Sequence, residues 1–152
     1  MAELRSTVGF VVCGGILIVA GGVVAAVDSA APFAHGPWLA AYLVLVGGVA
    51  QILLAGGRAA IVSGSGPSRG RLVLWNIGSL AVPAGVLADA TAWVTAGSVA
   101  LLCALALFAQ AGFQPAPGRR ARAVAYLVLV VSLAASVVVG SALADAAPGG
   151  WL

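Results

Sequence analysis

The chain has no lysine, a single histidine, a single methionine and two cysteines, and only 7% of its residues carry charge. Soluble domains usually carry about a quarter charged residues. Seven arginines and four acids are too few to form the polar shell that a 62% apolar chain of 152 residues needs in water. The composition fits lipid as the solvent. The net charge of +3 comes from arginines that stand in short clusters between apolar runs, so no basic face is available for nucleic acid and no nucleic-acid partner is expected. Such clusters suit attraction to anionic headgroups instead.

Other absences narrow the chemistry. There is no GxSxG, no HExxH and no serine with a histidine partner at the same depth, so hydrolytic and metalloprotease chemistry has no constellation. The glycine-rich phrase SGSGPSRGR at 63–71 lacks the GxxxxGK[ST] spacing of a phosphate-binding loop and reads as a linker. No enzyme is expected. Cys13 and Cys103 lie in separate apolar runs with no CxxC pair. His35 stands alone, whereas zinc-type centres take three or four ligands. No cofactor is therefore favoured, and haem at His35 or copper at the cysteines is a minor alternative.

What the sequence has in abundance is apolar length. Crossing ~30 Å of hydrocarbon at 1.5 Å per residue takes about 20 residues, and five segments qualify, at about 6–27, 38–57, 71–88, 90–111 and 123–144. The fold class expected is all-α, a single integral membrane domain of about five transmembrane helices. The apolar stretch Val8–Val27 exceeds the roughly 7–15 residues of a signal-peptide core, so it reads as a retained first span. The segment 28–37, with two prolines and His35, reads as a loop. Merging the third and fourth spans would bury Asp89 at a cost of about 2.5–3.5 kcal/mol, which favours five spans over four.

Orientation follows from the arginines. With the N-terminus cytoplasmic, Arg5, Arg58, Arg69, Arg71, Arg119, Arg120 and Arg122 all fall inside, while Asp28, Asp89 and Asp145 fall outside with the C-terminus. Trp38, Tyr42 and Trp93 fall near outer ends, and Trp75 and Tyr126 near inner ends, as interfacial aromatics do. A chain rich in alanine, valine and arginine but devoid of lysine suggests the plasma (inner) membrane of a bacterium, crossed several times.

Within the spans there is essentially no charged side chain, which argues against a proton relay, a voltage sensor or an ion-coupled carrier working alone. Two features remain. Gln51, Asn76 and Ser79, with Cys13 and Cys103, fall at similar depth on four spans, and Gln51, Asn76, Cys13 and Cys103 are the candidate ligand-binding set. In the fifth span Ser132, Ser136, Gly140 and Ala144 recur every fourth residue, a small-residue stripe of the kind that packs helices in membranes. Ala96, Ala100 and Ala104 form a similar stripe in the fourth. Pro83 should bend the third span. The expected function is a small non-enzymatic membrane protein, an accessory or stabilising subunit of a larger membrane complex, with other membrane subunits or further copies of itself as partners in the bilayer. The alternatives are a carrier or binding protein for a small lipophilic ligand, or a haem- or copper-binding protein.

The orientation is testable with compartment reporters. A reporter fused after Leu152 should be active outside the cytoplasm, and one placed at 63–68 inside. Both appearing on the same side would overturn the odd number of spans.

Overall fold

The computed structural model describes residues 2–62 and 69–146, with side chains described for 7–62 and 69–142. The linker residues 63–68 and the tail 147–152 lie outside the described residues, as do the side chains of Glu3, Arg5, Ala144 and Asp145. The described residues form five helices, all long and apolar enough to cross a membrane. They are α1 (Ala2–Ala30), α2 (Gly36–Ile61), α3 (Arg69–Leu87), α4 (Thr91–Phe113) and α5 (Arg120–Ala146).

Each expected span falls within or nearly within one of these helices. Helices α1, α2 and α5 overrun their apolar windows at both ends, because nothing in the backbone stops a helix where the apolar run stops. The boundary between the third and fourth spans is set by a tight turn. Asp89 adopts a left-handed φ of 50°. Ala90 N–H then donates to Gly85 O at 2.8 Å and Asp89 N–H to Val86 O at 3.3 Å. This paired pattern closes a helix C-terminus by satisfying its last carbonyls.

The loop between α1 and α2 is organised by Asp28, whose Oδ1 accepts the Phe33 N–H at 3.2 Å. The same carboxylate lies against Gly36, where any Cβ would collide with it. His35, at φ 66°, is the residue from which α2 starts, half-buried, with Pro37 in the first turn. At the other end of the molecule, Ala116 N–H donates to Ile61 O at 3.0 Å and Arg119 Nη1 to Ala60 O at 3.1 Å. The α4–α5 connection is thereby pinned over the end of α2.

Two antiparallel hairpins, α1–α2 and α3–α4, make up most of the bundle, and α5 packs on α4 and on the second half of α2. Glycine allows the close contacts within each hairpin. A Cβ at Gly14 would sit 3.0 Å from Gly48 O, and one at Gly48 would sit 2.9 Å from Gly14 O, so α1 and α2 touch backbone to backbone there. Gly78 and Gly97 serve α3 and α4 in the same way: a Cβ at Gly78 would lie 2.9 Å from Gly97 O. Small residues permit such approach and the dispersion contacts that it brings.

The seam of α4 thus runs through Gly97, Leu101, Ala104, Leu105 and Phe108, all buried, while Ala96 is exposed. The alanine stripe of the fourth span is met only at Ala104, because the glycine one residue along allows a closer contact. Pro83 is buried inside α3.

Helix α2 carries an irregularity that the sequence does not announce. Its stretch Leu43–Ala50 is π-helical and contains Gly47 and Gly48 at the contact with α1. It ends immediately before Gln51, where regular α-helix resumes. Each extra residue in a π turn rotates the rest of the helix about its axis, so this segment sets the direction in which Gln51 points.

The core lies toward the arginine-bearing end. Phe10 of α1, Trp75 of α3 and Phe108 of α4 meet edge to face, with ring centroids 5.7 Å apart for Phe10–Phe108 and 6.4 Å for Trp75–Phe108. All three are essentially inaccessible. Elsewhere the helices show large apolar side chains outward, among them Ile16, Val19, Leu45, Ile77, Val128 and Val131.

Substitutions at glycine separate contact from propensity. Gly48→Leu should cost at least ~1–3 kcal/mol by overpacking against α1 and lower the melting temperature in detergent. Gly56→Leu, with nothing within 4 Å of the added Cβ, should leave it unchanged or raise it. Equal losses at both positions would contradict the packing described.

Candidate functional site

Of the residues singled out for ligand binding, the structure joins two. Asn76 Nδ2 donates to Gln51 Oε1 at 3.1 Å and to Leu72 O at 2.8 Å, linking α2 to α3. Gln51 is completely buried and Asn76 half-buried. The π-helical stretch turns Gln51 onto the buried face it shares with Ala50, Leu54, Ala55 and Arg58. On α3, Trp75 and Ser79 stand one turn apart on the buried face, and Asn76 lies three residues before Ser79. Gln51 and Asn76 form a polar pair between α2 and α3, with Trp75 and Ser79 buried on the same helix as Asn76.

These residues have unused hydrogen-bonding capacity. Gln51 Nε2, Trp75 Nε1 and Ser79 Oγ are enclosed and have no hydrogen-bond partner, in residues at most 1% exposed. Asn76 is fully committed through Nδ2, whereas Gln51 accepts through Oε1 and keeps a free N–H₂. Leaving a buried donor unmade costs about 1–3 kcal/mol, so each of these groups would gain from an acceptor, water included.

Cys103 does not join this pair. Cys103 is exposed on the outside of α4 and Cys13 is half-buried on α1, and both are free thiols. The helical period explains the separation: Cys103 is one residue from Ala104 and two from Leu101, both buried, so it projects away from the seam. Depth along the helix brings residues to one layer, but the azimuth decides which of them meet. Among the described residues no group of three or more His, Cys, Asp or Glu side chains stands together. His35 lies at the start of α2, at the aspartate end and away from Gln51.

The stripe of the fifth span faces outward. Ser132, Ser136 and Gly140 are exposed, and a Cβ at Gly140 would meet nothing within 4 Å. Ser136 Oγ donates back to Ser132 O at 2.9 Å, satisfying its hydroxyl within the helix. Ala144, the fourth member, lies outside the residues whose side chains are described. The buried face of α5 is a different one, carrying Ala123, Tyr126 and Val130.

A second polar grouping, which depth along the spans did not single out, stands at the arginine end. Arg58 of α2 is 8% exposed, and Arg58 and Arg71 both lie within electrostatic reach of the Tyr126 hydroxyl. Gly57 sits against the Tyr126 ring, so that a Cβ there would be 2.7 Å from Cδ2. The signal for this grouping was present in the sequence as arginines flanking two span ends, with no indication of which would turn inward.

The polar pair makes an asymmetric prediction. Asn76→Ala leaves Gln51 unpartnered on both its amide atoms and should lower stability by about 1 kcal/mol, whereas Gln51→Leu removes a buried unpaired donor and should be close to neutral. Thermal unfolding in detergent compares them, and a larger loss for Gln51→Leu would show that Nε2 has a partner in the purified protein. Comparison with protein-family models, with curated proteins and with solved structures finds no match for this chain.

Proposed function

We propose that this chain is a multi-pass protein of a bacterial plasma membrane that works by association, as an accessory or stabilising subunit of a larger membrane complex. The observation that carries this reading is the outward-facing stripe Ser132, Ser136 and Gly140 on α5. Gly14, Gly48, Gly78 and Gly97 lie under a neighbouring helix, while Gly140, like Gly15, Gly22 and Gly56, has open space where its Cβ would be. The contacts of α5 are with α4 and the second half of α2. A helix of another subunit seated on the stripe would approach as closely as α1 approaches α2, through the same small-residue packing.

Orientation belongs to the same proposal. The seven arginines at one end and the aspartates at the other fit an N-terminus in the cytoplasm and a C-terminus outside. In that placement the stripe lies in the outer half of the bilayer. A binding role for a small lipophilic molecule is the second reading. It is favoured by one observation, the enclosed and unpartnered donors of Gln51 and Trp75, which suit a carbonyl-bearing ring.

Native mass spectrometry of the protein extracted in mild detergent from its own host at natural abundance tests both. Stoichiometric larger subunits should accompany the wild-type chain and be lost from the double variant Ser136→Leu, Gly140→Leu, while Gln51→Leu with Asn76→Leu keeps them. A lone chain carrying a defined extra mass that disappears in the Gln51, Asn76 variant would replace the association reading with the binding one. A self-assembly of this chain alone would make the partner a second copy.

A further inference from the structure

The arginine end holds a grouping that the association reading does not use. Arg58 stands in the last turn of α2, Arg71 in the first turn of α3, and Tyr126 two turns into α5. The absence of a side chain at Gly57 lets the Tyr126 ring lie directly on α2 beside Arg58. The Tyr126 residue is 4% exposed, and its hydroxyl is enclosed without a hydrogen-bond partner. Arg71 is half-buried, and its Nε is likewise enclosed without one. Arg58 and Arg71 both act electrostatically on the Tyr126 phenol.

The described carboxylates, Asp28 in the last turn of α1 and Asp89 in the α3–α4 connection, lie at the opposite end. Nearby, the Arg119 guanidinium already donates to Ala60 O, while Arg69, Arg120 and Arg122 are exposed. An anion with several acceptor oxygens takes up the idle Arg71 Nε–H and Tyr126 O–H together. Phosphate does so, since guanidinium groups bind it through paired, charge-assisted hydrogen bonds. Tyr126 lies about 9 Å along α5 from Arg120 at 1.5 Å per residue, a depth a headgroup phosphate reaches from the membrane surface.

We propose that the ends of α2, α3 and α5 form a site for a phosphate-bearing anion, with Arg71 and Tyr126 donating to it beside Arg58, and that its source is the headgroup of an anionic phospholipid. The proposal rests on the membrane reading of the chain and not on its orientation or on any partner subunit.

The test is native mass spectrometry of the full chain released from nanodiscs that mix phosphatidylglycerol with phosphatidylcholine. The wild type should retain phosphatidylglycerol in preference to phosphatidylcholine. Arg71→Gln should reduce the retained adduct about tenfold and Tyr126→Phe roughly threefold, while Arg120→Gln and Arg122→Gln leave it unchanged. Tyr126→Phe keeps the ring against Gly57, so it carries the test if Arg71→Gln does not fold, as judged by gel filtration and melting temperature. Equal retention of the two lipids, or an equal loss in the Arg120 and Arg122 variants, would overturn the site, while stable incorporation into nanodiscs would leave the membrane reading standing. Retention that survives millimolar inorganic phosphate supports the lipid as the source. Displacement by it would move the source to free phosphate and overturn the lipid assignment.

Discussion

The structure depends on backbone-to-backbone contact at glycine. Helices that are apolar on nearly every face have no amphipathic stripe to tell them which side to bury, and between such helices in lipid the hydrophobic effect is no guide. What distinguishes one face from another is how closely a neighbour can come. Gly14 against Gly48 and Gly78 against Gly97 set the two hairpins, and the aromatic contact of Phe10, Trp75 and Phe108 joins α1 to the second hairpin. Enlarging a glycine at a seam therefore does more harm than removing a methyl group from the outward-facing surface.

Polar side chains refine this arrangement. The Asn76–Gln51 hydrogen bond is worth about 1 kcal/mol in a membrane-like setting, less than the packing around it, yet it links α2 to α3, which belong to different hairpins. The π-helical stretch Leu43–Ala50 connects the two levels: it accommodates the glycine contact with α1 and then delivers Gln51 to the face that meets α3. The pair that results leaves Gln51 Nε2 without a partner, as the arginine end leaves the Tyr126 hydroxyl. Both are places where the bundle is incompletely satisfied by its own atoms, and buried polar groups seldom stay so without a partner.

The outward stripe of α5 has the opposite character. Its Ser136 hydroxyl is satisfied within the helix by donating to Ser132 O. The stripe presents only a low, smooth surface. That combination suits a helix–helix contact in lipid and supports the association reading over a small-molecule one for this face.

Each feature was legible in the sequence to the extent that its physics is local. Five helices and their approximate limits were determined by apolar length, because a hydrocarbon layer of fixed thickness sets how many residues a span needs. The turn at Asp89 was legible because a charge between two apolar runs is costly to bury. Pairing among the polar residues was legible only as depth: Gln51, Asn76, Cys13 and Cys103 share a layer, but helix azimuth separates Cys103 from the rest, and the π-helical stretch before Gln51 leaves no mark in the composition. Arg58 and Arg71 were visible as charges at span ends, while their approach to Tyr126 required α5 to lie across α2 at Gly57. The sequence by itself determined the number of helices and their approximate limits, since those depend on the length of each apolar run. Which faces touch, and so which polar groups meet, only the tertiary structure decided, because in a chain apolar all round those choices rest on close packing between segments far apart in sequence.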